Sequence, residues 1–132
     1  MNSKDIIKVL ENNGLSDIEE ISYKEGFAVI RFFYDFDEDE LKAARAYAKD
    51  ECEEEEESES WYEDYFLPYL NDLAIDNVGE IMEEIMEEFG AEAQYISYEL
   101  DSENYEYNEF VAVVVSGDKD LNIEEVLDEL DI

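Results

Sequence analysis

Residues 68–90 read PYLNDLAIDNVGEIMEEIMEEFG, and the division of this stretch into two faces decides the fold. Leu70, Leu73, Val78, Ile81, Ile85 and Phe89 fall on one side of a 3.6-residue helix, and Met82 and Met86 widen that stripe. Pro68 suits the first turn of a helix and Gly90 suits its end. A helix of this length needs an apolar partner layer. The residues that follow supply one: Gln94 to Leu100 and Phe110 to Val115 have strand character, the second too apolar for an exposed edge. Residues 101–109 between them are polar and read as a loop.

The flanking segments fit the same scheme. Asn122 with Glu125 three positions later resembles a capping box, and Val126, Leu127 and Leu130 complete a short last helix. Toward the N-terminus, Ile6, Ile7, Val9 and Leu10 share one helical face in residues 3–13, which Asn13-Gly14 closes. Ile18 to Tyr23 and Phe27 to Phe36, rich in β-branched and aromatic residues, read as a hairpin turned at Lys24-Glu25-Gly26. Leu41, Ala44, Ala48 and Cys52 define a second helix, expected to run on into the acidic stretch that follows. Trp61 to Leu67 resists assignment: its aromatics have helical spacing, but Pro68 is unsuited to a helix interior.

The expected fold is therefore α+β, a four-stranded antiparallel sheet built from two hairpins with helices packed on one face. The chain is expected to form a single domain over residues 1–132. Helix, glycine, strand, strand, helix occurs in residues 3–52 and again in 68–131, the halves being joined by the acidic segment 53–67. Ile21-Ser22-Tyr23 and Ile96-Ser97-Tyr98, Phe27 and Phe110, and Asp37-x-Asp39 and Asp118-x-Asp120 occupy corresponding places. These matches admit two readings, a duplicated unit or a chance recurrence of short strings.

Charge, not chemistry, dominates the composition. The formal net charge is -33 from 41 acids and 8 bases, yet 45% of the residues are hydrophobic and 14% aromatic. That apolar content argues against disorder, and 132 residues suffice to bury roughly two thirds of the unfolded surface. Seven of the bases lie within the first 49 residues; beyond them Lys119 alone faces 30 acids. Asp50, Glu51, Glu53, Glu54, Glu55, Glu56, Glu57, Glu59, Glu63 and Asp64 place ten acids in fifteen residues, next to Trp61, Tyr62 and Tyr65. As a helix, this run would carry about one charge per 2.2 Å of axis, close to the value of about 1.7 Å for B-form DNA.

The absence of histidine excludes Ser-His and Cys-His catalysis and imidazole metal ligands. Cys52 stands alone among acids that disfavour its thiolate, which fits a reducing compartment better than a nucleophile. No phosphate-binding glycine loop or nucleophile elbow occurs, and a strongly negative field repels nucleotides and nucleic acids. Asp118, Asp120, Asn122, Glu124 and Glu129 have the spacing of a calcium loop, but Ile123 stands where that loop needs glycine, so a turn and helix cap is the preferred reading. No apolar run reaches the ~20 residues of a membrane span.

These observations lead to an expectation of a cytoplasmic, non-enzymatic domain with no cofactor and no dedicated metal site. The expected partner is a basic or nucleic-acid-binding protein, bound through residues 50–65 named above, including Trp61, Tyr62 and Tyr65, without direct nucleic-acid binding. In charge and size the chain resembles acidic inhibitors of restriction, CRISPR or nuclease systems and acidic regulators of DNA-binding proteins, although no motif ties it to one of them. The competing reading is a domain whose acids serve solubility, with another interface or homodimerisation, and whose aromatics belong to the core.

Overall fold

Two apolar strands at the centre of the sheet organise the chain. In a computed structural model that describes residues 2–117 and 120–132, these are β2 (Phe27–Asp35) and β4 (Tyr107–Ser116), paired antiparallel along their length. β1 (Ser16–Ile21) flanks β2 and β3 (Ala91–Ser97) flanks β4, giving the order β1-β2-β4-β3. Four α-helices accompany them among the described residues: α1 (Ser3–Asn12), α2 (Glu38–Glu51), α3 (Leu67–Phe89) and α4 (Ile123–Leu130). The fold is α+β with a four-stranded antiparallel sheet.

Alternation along β2 and β4 sends side chains to both faces, and both faces are apolar. Ala28, Ile30 and Phe32 of β2 and Phe110, Ala112 and Val114 of β4 meet α1, α2 and α3 in the main core. Phe32 and Phe110 stand directly opposite in the register and stack with centroids 5.6 Å apart. Ala44 and Ala48 of α2 are fully buried, their small side chains allowing the helix to lie close. On the reverse face Val29, Val111, Val113 and Val115 form a second cluster with Ile123, Val126 and Leu127 of α4.

That second cluster corrects the expectation of helices on one face only. α1, α2 and α3 share a face, but α4 crosses to the other. The cause is visible in residues 111–115, where every side chain is buried: a strand apolar on both sides needs cover on both. The two helix-hairpin-helix stretches consequently differ in the face taken by their final helix.

Capping follows the sequence closely. Asp37 and Glu40 form a reciprocal capping box at the start of α2, with bonds of 2.8 and 2.9 Å. Asn122 accepts from the backbone N–H groups of Glu124 and Glu125, one half of the box expected for α4. Gly90 ends α3 at φ 59°, a left-handed conformation that glycine adopts without strain. Strand limits shift by two or three residues from expectation: β1 begins at Ser16, interrupted by an irregularity before Glu19, and β3 begins directly after Gly90. Asp118, named both in the calcium-like spacing and in the repeat, lies outside the described residues, as does Lys119. Of the other members of that spacing, Asn122 caps α4 and Glu129 accepts a hydrogen bond from Tyr23.

Candidate functional site

The acidic run does not form one helix. α2 stops at Glu51, Cys52 caps it in an extended conformation, and residues 52–58 form a loop. A helix continued through this run would set like charges four residues apart at 50/54, 51/55, 53/57 and 55/59, each pair unfavourable. Glu57 adopts φ 66°, left-handed for a non-glycine residue, and reverses the chain. Ser58 then accepts from the backbone N–H of Trp61 at 3.2 Å, so the chain re-enters a helix from Glu59. Trp61–Phe66 is π-helical and runs straight into α3. The backbone N–H of Leu67 bonds the carbonyl of Tyr62, five residues back, and this wider turn places Pro68 at the beginning of α3 and not within a regular ladder.

One base holds the loop down. Arg45 of α2 places Nη1 3.5 Å from carboxylate oxygens of both Glu56 and Glu57 and donates from Nη2 to the Tyr105 hydroxyl at 3.0 Å. Its guanidinium lies over the rings of Trp61 and Phe66, 5.4 and 5.3 Å from their centroids. Burial works against the Arg45 charge, but the Tyr105 bond and the Glu57 carboxylate outweigh it and raise the pKa.

The residues expected to bind a partner are thereby sorted. Asp50, Glu51, Glu53, Glu54, Glu55, Glu56, Glu57, Glu59, Glu63 and Asp64 are all exposed. Tyr62 and Tyr65 are half-buried against the core. Trp61 is 1% exposed and stacks on Phe66 with centroids 4.7 Å apart, so it is a core residue and not a surface anchor. Its spacing with Phe66 suited either role, and only packing distinguishes them.

Part of the run closes one side of an open cleft of 780 Å³. Glu57 and Glu59 come from the loop and its exit. Tyr62, Glu63, Leu67, Pro68 and Asp72 come from the helix, and Glu99, Leu100 and Asp101 from the chain leaving β3. Six carboxylates thus surround a partly apolar floor. Burial, followed by the charge of Glu57, raises the Tyr62 phenol above its ordinary pKa. Asn71 on the same wall is fixed from beneath: it donates to Asn108 Oδ1 at 2.9 Å, and fully buried Asn108 donates to the carbonyls of Tyr98 and Glu109. Sequence reasoning missed Asp72, Glu99 and Asp101. Asp72 follows on the same helical run, whereas Glu99 and Asp101, some 40 residues on, reach the cleft only because β3 packs beside β4 and α3.

One further surface completes the picture. Along α3, Asp72, Asp76, Glu80, Glu83, Glu84, Glu87 and Glu88 are exposed, and residues 59–89 contain no Lys or Arg. The last turn of α3 carries acids at the negative end of the helix dipole, where bases would be favourable. Among the described residues no helix is long and apolar enough to cross a membrane. Compared with family models, curated proteins and solved structures, the chain matches none.

Proposed function

We propose that this chain is a cytoplasmic, non-enzymatic binding domain whose carboxylates occupy the basic, phosphate-binding surface of a nucleic-acid-binding protein, as an inhibitor or regulator. The observation that carries the proposal is the acid row of α3. Seven exposed acids between Asp72 and Glu88 span about 24 Å of axis, roughly one per 3.4–4 Å, against 3.4 Å per phosphate along one DNA strand. The row replaces the continuous helix expected over residues 50–64 as the regular element of the surface. The exposed loop 53–57 and the acidic cleft extend it beyond the N-terminal end of α3.

Energetics point the same way. The pairs 72/76, 76/80, 80/84, 83/87 and 84/88 set like charges four residues apart, at a cost of about 0.2–0.5 kcal/mol each. A surface selected for solubility alone would disperse these charges and complement the helix dipole. The same field repels free nucleic acid and directs the domain to a positive partner.

The test uses the immobilised chain and cell lysate. Nucleic-acid-binding proteins are expected to be retained at low salt, displaced by duplex DNA, and lost from the variants Glu80→Gln, Glu83→Gln, Glu84→Gln and Glu87→Gln combined. Retention that survives both neutralisation and competing DNA would sink the proposal and favour the solubility reading.

A further inference from the structure

On the side of α3 next to the cleft lies a smaller groove of 370 Å³ with a different lining. Tyr65, Tyr69 and Leu73 form one row at four-residue spacing; Asp64, Asp72 and Asp76 also line the groove. Tyr47 of α2 also lines it and packs against Tyr69. It is 42% exposed, and its ring lies 5.1 Å from that of Tyr69 at a tilt of 31°. Among the described residues no Lys or Arg lines the groove. The hydroxyls of Tyr23, Tyr34 and Tyr105 are engaged in hydrogen bonds, whereas those of Tyr47, Tyr65 and Tyr69 have no such partner among the described residues.

Elsewhere the protein shows what such surroundings hold. Arg45 lies over two aromatic rings between Glu56 and Glu57. Arg31 lies 5.4 Å from the Phe33 centroid, with Nε 2.5 Å from Glu109 Oε2 in an ion pair whose N–H is not aligned for a hydrogen bond. In both cases a guanidinium lies over an aromatic ring with a carboxylate oxygen no more than 3.5 Å away. The groove repeats this chemistry, aromatic rings with carboxylates beside them, and among the described residues no cation lines it.

We infer that the Tyr47–Tyr69 groove is a subsite for an arginine side chain of the basic partner. The assignment rests on the proposed function for the identity of the partner, but its recognition chemistry is its own. A guanidinium can lie flat on Tyr47 or Tyr69 and direct its N–H fork at Asp72 or Asp76, an arrangement an ammonium cannot match. Pro68 and Asp72 also line the larger cleft, so an extended basic segment seated there would reach the groove with a neighbouring side chain.

The experiment titrates the full chain with a short arginine-containing peptide and with its lysine and citrulline counterparts, following the Tyr47 and Tyr69 ring resonances by NMR. The arginine peptide is expected to bind at least ~5-fold more tightly than the lysine peptide, and the citrulline peptide not at all. Tyr47→Ala should lower arginine affinity ~5-fold, the size of one exposed cation–π contact. Tyr47→Phe should restore it, and Asp72→Asn with Asp76→Asn should weaken it and flatten its salt dependence. Arg and Lys peptides binding alike, or Tyr47→Ala leaving affinity unchanged, would reduce the groove to general charge attraction and overturn the assignment. If that happens while DNA-displaceable capture persists, the groove fails and the acid row stands. Loss of capture with arginine-selective peptide binding intact has the opposite meaning: the groove stands and the acid row fails.

Discussion

Arg45 on α2 reaches Tyr105, 60 residues away in sequence, with a 3.0 Å hydrogen bond that ties the acidic loop to the connection between β3 and β4. The arrangement depends on planarity, because the same guanidinium covers Trp61 and Phe66. Arg45→Ala is expected to lower stability by about 2 kcal/mol, mostly from ring contacts and the Tyr105 bond, since partly exposed ion pairs contribute little. Arg45→Lys should recover less than half. Urea unfolding gives the magnitude, and faster amide exchange across residues 52–58 would locate the loss in the loop.

Asn108 is the one buried polar residue among those described, and it satisfies Asn71 and two backbone carbonyls at once. Replacing it by Leu removes the Asn71 acceptor and a donor to the Tyr98 carbonyl, while the Glu109 carbonyl keeps the Tyr98 N–H and Asn71 keeps Ser97 Oγ, so the expected cost is about 1–2 kcal/mol. Asn71→Ala should cost less, because the Asn108 side chain keeps its carbonyl partners. Equal effects of the two substitutions would show that the wall, not the buried amide, matters.

Gly79 lets α3 approach β3: a Cβ added there would stand 2.9 Å from the Tyr95 hydroxyl. Gly79→Ala gains about 1 kcal/mol of helix propensity but must displace Tyr95. It is expected to destabilise the native sequence by about 1 kcal/mol and to stabilise a Tyr95→Phe background by a similar amount. Additive effects across this double-mutant cycle would contradict the steric account.

Tyr23 donates to Glu129, and Lys24 lies 3.2 Å from the same carboxylate, clasping the first hairpin to α4. The Tyr23 bond, ahead of Lys24, lowers the Glu129 pKa, so its contribution exists above the ordinary carboxylate range and fades as pH falls through the lowered value. Tyr23 and Lys24 are both raised, first by their hydrogen bonds to Glu129. Their contributions are full below the ordinary values of 10.0 and 10.5 and fade as pH rises through the raised ones. The difference in Tm between the native chain and Glu129→Gln should therefore be flat across neutral pH and narrow at both extremes. A difference that peaks near neutrality and falls by pH 8 would rule out the clasp as its source.

Neutralising Glu80, Glu83, Glu84 and Glu87 to Gln removes four like-charge pairs from α3 and relieves the dipole at its end. The variant should gain about 1–2 kcal/mol at low salt and lose its partner. Added salt should stabilise the native chain more than the variant, which keeps most of the net charge, and thermal melts across an ionic-strength series would reveal the difference.

How far the fold was legible depended on the range of the interaction behind each feature. The α3 stripe from Leu70 to Phe89, the cap at Asn122 and the turn at Gly90 arise from contacts within a few residues, and each reads directly from the chain. The hairpins read well for the same reason, though β1 and β3 slid by two or three residues because strand limits depend on partners. Trp61–Leu67 was ambiguous because Pro68 argued for a break. A π-turn accommodates it, and the resulting helix buries Trp61 and Phe66 while leaving Glu63 and Asp64 outside.

By itself, the sequence determined the α+β class, the apolar and acidic faces of the long helix and the position of the charge, because periodicity and composition are local properties. Only the tertiary structure decided that α4 covers the reverse face, that Arg45 pairs with Glu56 and Glu57 of the loop and that Glu99 and Asp101 join Glu59. It alone set Tyr47 against Tyr69. Each of these contacts joins residues far apart in the chain, and their proximity follows from how β2 and β4 pair and which helices the paired strands then bury.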